Sequence, residues 1–450
     1  MSVAAAIAVP SPPRWRWRVG GKVANAALAA LIFLGAFVID EPAPYELLLL
    51  PLIVIAAAFG LNLNRHFAPM VVLLLLYVAG GWLALTALPN PADGILYMGT
   101  TTLLAASAIF FAAVIAPAPE ERLRVIGRAY IAGAAIAALL GLCGYFHLVP
   151  GAEIFTLYDR LRGPFKDPNV IGPFMVLPIA LLFRDIVTDR LARSFGRLVV
   201  LLILLAAEFL TFSRAAWGMT IFAALLVTAL AYGSEQRQAG RVRILAYSAV
   251  GILAAAILLV AVLSIPGVAK MFAQRAELVE SYDAGSLGRF GRHALGFFLV
   301  QEHPLGIGPL TFGKIFGEDE HNMWLKGFTT YGWLGGFAYI ALAVWTLAAA
   351  LRLLVKQRPW QPFLQAAFAV FAGQILIHNV IDNDHWRHLF LLYGILWGII
   401  AADRRYVRDV RRGDGRIALS PTGNGAALPA FALRAAAGDR RGRSPEPRPA

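Results

Sequence analysis

The sequence predicts an all-α integral membrane protein of about twelve transmembrane helices with one long, partly helical loop, and three observations point to it. Of 450 residues, 59% are hydrophobic and 15% charged, whereas soluble proteins average about 45–50% and about 25%. The excess is gathered into nearly charge-free stretches of about 17 to 27 residues, and a bilayer core of about 30 Å needs about 20 helical residues. The net charge of +13 is spread by topology, favouring one side of those stretches, instead of forming one nucleic-acid-binding surface. This composition excludes a water-soluble enzyme. The single cysteine, Cys143, excludes an intramolecular disulfide, a cysteine-based zinc site and an iron–sulfur cluster.

Along the chain, residues 1–22 carry Arg14, Arg16, Arg18 and Lys22 and read as a basic cytoplasmic segment. The apolar run after it ends in Asp40-Glu41-Pro42 with no small-residue cleavage site, so it is read as a retained first helix and not a signal peptide. Apolar spans follow at 23–39, 45–60, 67–88, 95–117 and 123–149, then at 169–186, 197–212, 214–232 and 243–265, and finally at 326–351, 363–381 and 386–402. With the N-terminus inside, 29 of the 40 Lys and Arg residues fall on the inner side. Six of the other 11 belong to the long 266–325 connection or its edge, where the positive-inside bias is weak. Residues 23–402 are therefore expected to form the membrane domain, with 266–325 in the periplasm and both termini in the cytoplasm. The tail, 403–450, is rich in Arg, Gly, Pro and Ala and reads as disordered. Its charge is expected to meet anionic inner-membrane lipid, at about 1 kcal/mol per basic residue, and no nucleic acid. No Gly/Pro-broken pair of spans in matching halves is visible, which disfavours a secondary transporter.

The polar residues of interest lie in the two longer outer connections, 150–168 and 266–325, or at outer helix ends, as a periplasm-facing site requires. Three inward-running spans begin with polar residues: Asn169 after Asp167-Pro168, Ser213-Arg214, and His321-Asn322. Asn and Ser are favoured N-caps, and helix N-termini present free N–H groups and partial positive charge. With Arg160, Arg162, Lys166 and Arg214 beside them, these ends read as an anion site; the competing reading has each Arg snorkelling to lipid head groups. In the long loop, Ser286–Leu295 reads as a capped helix with Arg289 and Arg292 on one face and His293 a turn from Arg289. That face is either a grip on phosphate oxygens or a solvated surface. His321 stands out because Glu318-Asp319-Glu320 precede it and because His is the usual general base near neutral pH. Four consecutive residues at 318–321 lack a metal-ligand spacing, so no metal is expected. Glu208, an acid inside an apolar stretch, is either functional or paired with an outer Arg such as Arg214.

The stretch His321-Asn322, nine residues, then Gly332-Trp333-Leu334-Gly335 is similar to the H-N-x9-G-x-x-G signature of the O-antigen ligase and polymerase superfamily. Arg162-Gly163-Pro164-Phe165, Asp167-Pro168-Asn169, Thr211–Trp217 and His303-Pro304-Leu305-Gly306-Ile307-Gly308 resemble the same family in the same order. Together they cover residues 155 to 345; the first five spans resemble the family only in architecture. The resemblance implies a glycosyltransferase that works without metal or cofactor at the periplasmic face of the bacterial inner membrane. Such proteins move a glycan from a polyprenyl-pyrophosphate carrier such as undecaprenyl pyrophosphate to a sugar hydroxyl, in lipopolysaccharide or exopolysaccharide assembly. The acceptor is lipid A-core in the ligases and another carrier-linked repeat unit in the polymerases. The resemblance also implies His321 as base. Arg162, Arg214, Arg289 and Arg292, with Arg160 and Lys166, would hold pyrophosphate or glycan, supported by Asn322, Glu208 and Asn169. Two readings come from other classes. A multispan anion or glycan transporter should show polar residues at mid-membrane depth, and a non-catalytic assembly protein should tolerate loss of His321.

Overall fold

A computed structural model describes residues 14–61, 63–189, 194–276 and 288–411. The chain is 77% helical, and a helix stands at each of the twelve apolar stretches. In the first half these are α1 (Arg14–Leu34), α2 (Pro44–Ala58), α3 (Ala68–Ala84), α4 (Ala92–Ile115), α5 (Pro119–Tyr145) and α6 (Pro168–Thr188). Then come α7 (Phe195–Leu210), α8 (Arg214–Ser234) and α9 (Gln238–Leu263). The long connection contains α10 (Pro266–Ala276), α11 (Arg289–Glu302) and α12 (Phe312–Phe316), followed by α13 (Met323–Thr329), α14 (Gly332–Leu351), α15 (Gln361–Ile377) and α16 (Arg387–Arg411). Seven segments are long and apolar enough to cross a membrane: 65–87, 94–115, 119–145, 168–188, 214–234, 238–263 and 332–351. By length and composition this is a multi-pass membrane protein.

The helical boundaries differ from the sequence reading at both ends. Helix α1 begins at Arg14, inside the segment expected to precede the membrane, and α16 runs to Arg411, past residue 402. Residues 412–450, most of the expected tail, lie outside the described residues. The described chain forms one unit through Arg404, and residues from Arg405 onward belong to a second.

Two local features position the site. The first is a hairpin that pairs Thr156 with Leu161 and Leu157 with Arg160. Its two turn residues, Tyr158 and Asp159, both have left-handed backbones (φ 51° and 55°), the geometry that matches the twist of a tight two-residue hairpin. The second is a break in what the sequence reads as one span from residue 326. The chain instead forms α13, turns at Thr330-Tyr331, and restarts as α14 at Gly332, whose φ of 64° disfavours other residues. A Cβ there would lie 2.8 Å from the Leu305 backbone. The turn-rich segment 303–308 is thus packed against the break, with Trp333 N–H donating to Pro304 O (2.8 Å) and Ile307 N–H to Thr329 O (2.8 Å). Gly335, the second glycine of the signature, lets α14 approach α3. A Cβ on the facing Gly80 would sit 2.6 Å from the Gly335 nitrogen, and Tyr77 stacks on Tyr331 at 4.1 Å. Both signature glycines therefore serve backbone geometry, fixing where α13 and the residues before it sit.

Candidate functional site

His321 lies just before α13, in a left-handed backbone conformation (φ 46°) that few non-glycine residues adopt and that tends to persist at functional sites. What holds it there is the connection between α15 and α16. Asp382 accepts the backbone N–H of His321 on one oxygen (3.1 Å) and that of Asn322 on the other (2.9 Å). Asn322 caps α13, its side chain accepting from Leu325 N–H (3.0 Å), and Met323 N–H donates to His378 O (2.7 Å). The His321 ring is partly exposed, with Nδ1 4.0 Å from Asp382 Oδ2.

Beneath this turn is a buried charge cluster. Lys326 Nζ lies 3.6 Å from Asp382, 3.8 Å from Asp384 and 4.0 Å from Glu320. Asp384 also accepts the hydroxyls of Tyr331 (2.7 Å) and Tyr97. Burial alone would raise the Asp384 carboxyl, but Lys326, His385 and the two tyrosines outweigh it and hold it below the ordinary value. Burial likewise works against the Lys326 ammonium, yet the three carboxylates raise it above its ordinary value. Glu320 is pushed up to about 7, burial prevailing over the attraction of Lys326. His385 packs its ring at a tilt against Tyr97 (4.0 Å) and meets Thr101 Oγ1 through Nε2 (2.8 Å); burial lowers its basicity.

A cavity of about 1200 Å³ opens above this cluster. Cations line it: Arg160 from the hairpin, Arg214 at the start of α8 and Arg275 near the end of α10. The lining also includes Glu318, Asp319, His321, Lys326, Asp382 and Asp384. Met219 and Phe222 of α8 and Leu376 and Ile377 of α15 give it apolar lining. Leu376 is itself 55% exposed, so this apolar side is open and not packed away. Ser213 Oγ and Trp217 Nε1 are buried in the cavity lining without hydrogen-bond partners. Buried polar groups in that condition are costly unless a bound molecule satisfies them.

Arg160, Asn169, Arg214 and His321, which the sequence singles out, are thus brought to one cavity from four separate segments. Arg160 is buried and locked, donating through Nε to Thr211 O (2.7 Å) and through Nη2 to Asn169 Oδ1 (2.8 Å). The cap of α6 is Asp167, which accepts Asn169 N–H (2.6 Å), and not Asn169, whose amide oxygen is used by Arg160. Ser213 stands at the N-cap of α8 without a capping side-chain bond. Arg162 and Lys166 do not line the cavity: Arg162 turns to Ile154 O (2.9 Å), and Lys166 faces Glu41 (3.5 Å). Arg292 does not line it either, since it is buried against Glu318, while His293 Nε2 meets Glu320 O (2.8 Å). The Arg289 side chain and the expected cap at Ser286 lie outside the described residues. Glu208 is buried and accepts the Thr220 hydroxyl (2.6 Å).

Sequence reading missed Tyr97, Lys326, Asp382, Asp384 and His385 as site residues. A signal was present for the last three. The connection Asn379-Val380-Ile381-Asp382-Asn383-Asp384-His385-Trp386-Arg387-His388 is far more polar than a short link between two spans requires. Lys326 and Tyr97 gave none, since each reads as the ordinary polar edge of a span. No protein-family model matches the chain, and no curated protein matches it.

Proposed function

We propose that the protein is a membrane glycosyltransferase that moves a glycan from a polyprenyl-pyrophosphate carrier to a sugar hydroxyl. In this reading all twelve helices at apolar stretches cross the bacterial inner membrane, both termini are cytoplasmic, and the cavity faces the periplasm. The observation that carries it is a single cavity combining three chemistries: the cations Arg160, Arg214 and Arg275, a histidine held on a fixed turn, and apolar lining that includes the exposed Leu376. A lipid-linked pyrophosphate donor needs all three together.

The chemistry follows from the layout. The acceptor oxygen attacks the anomeric carbon of the donor, the bond from that carbon to the pyrophosphate oxygen breaks, and the hydroxyl proton passes to the His321 imidazole. Asp382, 4.0 Å from Nδ1, is placed to stabilise the imidazolium as it forms, the role a carboxylate plays beside a histidine base. Charge developing on the departing pyrophosphate is met by the guanidiniums and by the N-terminal end of α8. Ser213 and Trp217 offer it unpartnered donors. The resemblance in the His321–Gly335 signature supports the same assignment. A transporter fits less well, because the charged groups that line the cavity, Arg160, Arg214, Asp382 and Asp384, lie in connections and at a helix start, not in mid-helix.

The test is transfer by the purified protein from a polyprenyl-pyrophosphate-linked glycan. Labelled glycan should move to lipid A-core if the protein is a ligase, and longer carrier-linked chains should appear if it is a polymerase. Flux of free glycan across vesicles without any new glycosidic bond would favour the transporter instead.

A further inference from the structure

Up to its last turn, where Gln301 and Glu302 are exposed, helix α11 (Arg289–Glu302) has its amphipathicity reversed for a helix in water. Arg292 is buried against Glu318, and His293 turns inward to the Glu320 carbonyl. The inner face also holds Gly296 against Leu325 and Phe312, and Val300 in a small core with Ile307 and Phe312. Outward point Phe290 (61% exposed), Leu295 (42%), Phe297 (61%) and Phe298 (65%). Contiguous exposed apolar surface marks an interaction site, whereas scattered residues do not. Here the sequence supplies three phenylalanines to one side of a 14-residue helix.

The surroundings identify what covers that side. The C-terminal end of α11 is tied to the start of α14, a membrane-spanning helix, by Trp333 Nε1 donating to Val300 O (2.8 Å). Trp333, Leu334 and Phe337 at that start are exposed as well, adding an apolar side on α14 next to the point where α11 is tied. Trp, as at 333, is enriched at the membrane–water interface. At its other end, Phe290 lines the cavity and is 61% exposed. We propose that α11 is an interfacial helix, lying in the leaflet at the cavity end with Phe297 and Phe298 in lipid, and that it forms the lipid-side lip of the cavity mouth. Helices of this kind bury an apolar face about 5–10 Å into the head-group boundary. The inference rests on the membrane-spanning fold and not on the chemistry assigned to the cavity.

Spin labels placed singly through Phe297→Cys and Phe298→Cys, in a Cys143→Ser background reconstituted in liposomes, test this. Both side chains are mostly exposed, so either change removes few packing contacts. The proposal expects collisions with molecular oxygen to exceed those with a water-soluble nickel chelate several-fold at both positions, as at the lipid-facing control Leu225→Cys. The water-facing control, Tyr158→Cys, should show the opposite. Nickel access at 297 and 298 would make α11 a solvated helix and overturn the proposal. Low access to both reagents would mean that protein covers the face, and would overturn it too. A control at 225 open to nickel would overturn the membrane-spanning fold, and the proposal with it.

Discussion

Replacing Lys326 with Met keeps most of the side chain's bulk and removes its charge from among three carboxylates. The ammonium lies 3.6, 3.8 and 4.0 Å from Asp382, Asp384 and Glu320, on a side chain 10% exposed. Removing one partner from a buried ion cluster costs about 3–5 kcal/mol, because the charges left behind lose their compensation. That cost should depend on pH. Glu320 already sits at about 7 in the folded protein against an ordinary 4.5, so the folded state keeps a proton that the unfolded chain releases between those values. A raised folded-state value gives stability that is fully present below the unfolded value and lost as pH rises through the folded one. Without Lys326, Glu320 should rise further, and proton uptake then relieves the repulsion as pH falls. The two proteins then differ in Glu320 protonation only above about 7, so the deficit of Lys326→Met should be larger at pH 8 than at pH 6.5 and nearly level from 6.5 to 5, changing by up to about 1.4 kcal/mol per pH unit for each proton taken up. Thermal unfolding of the detergent-purified proteins at pH 5, 6.5 and 8 measures it. A loss of Tm that is equal at all three values, or absent, would refute the buried charge cluster.

Two further outcomes separate site from scaffold. Arg160→Lys keeps the charge but loses the fork that reaches Thr211 and Asn169, and should lower glycan transfer about tenfold or more. Arg162→Lys, away from the cavity, should stay within about twofold of native transfer; equal losses would place the whole hairpin in the site. Gly332→Ala forces a Cβ to 2.8 Å from the Leu305 backbone at φ 64° and should cost at least about 1–3 kcal/mol. Gly99→Ala, in α4 with open space around it, should be neutral or stabilising, and Tm measurements on the pair decide the point.

What the sequence carries best is the pattern that solvent imposes. Each apolar stretch has a helix because a charge-free run of bilayer length encodes its own secondary structure. The break at Thr330-Tyr331 was illegible, because Thr329-Thr330-Tyr331-Gly332 carries no charge or proline that would interrupt a span and only the φ of Gly332 marks the restart. Within the site, His321 and Arg214 were legible as polar residues at helix starts. The direction of Arg292 was not. A helical wheel places Arg289 and Arg292 on one face, but whether that face meets water depends on the surroundings, and here Glu318, 26 residues away, takes Arg292 inward. Asp382 shows the same limit, since its use depends on two backbone N–H groups 60 and 61 residues earlier, a contact no local spacing encodes.

The role of His321 as base is tested most directly by His321→Ala in a purified transfer reaction, with donor binding measured in parallel. General-base catalysis typically contributes about 10²–10⁴-fold, and turnover should fall by that factor while binding of the polyprenyl-pyrophosphate-linked donor stays unchanged. Near-native turnover in His321→Ala would contradict the account and leave His321 as a residue that shapes the turn before α13.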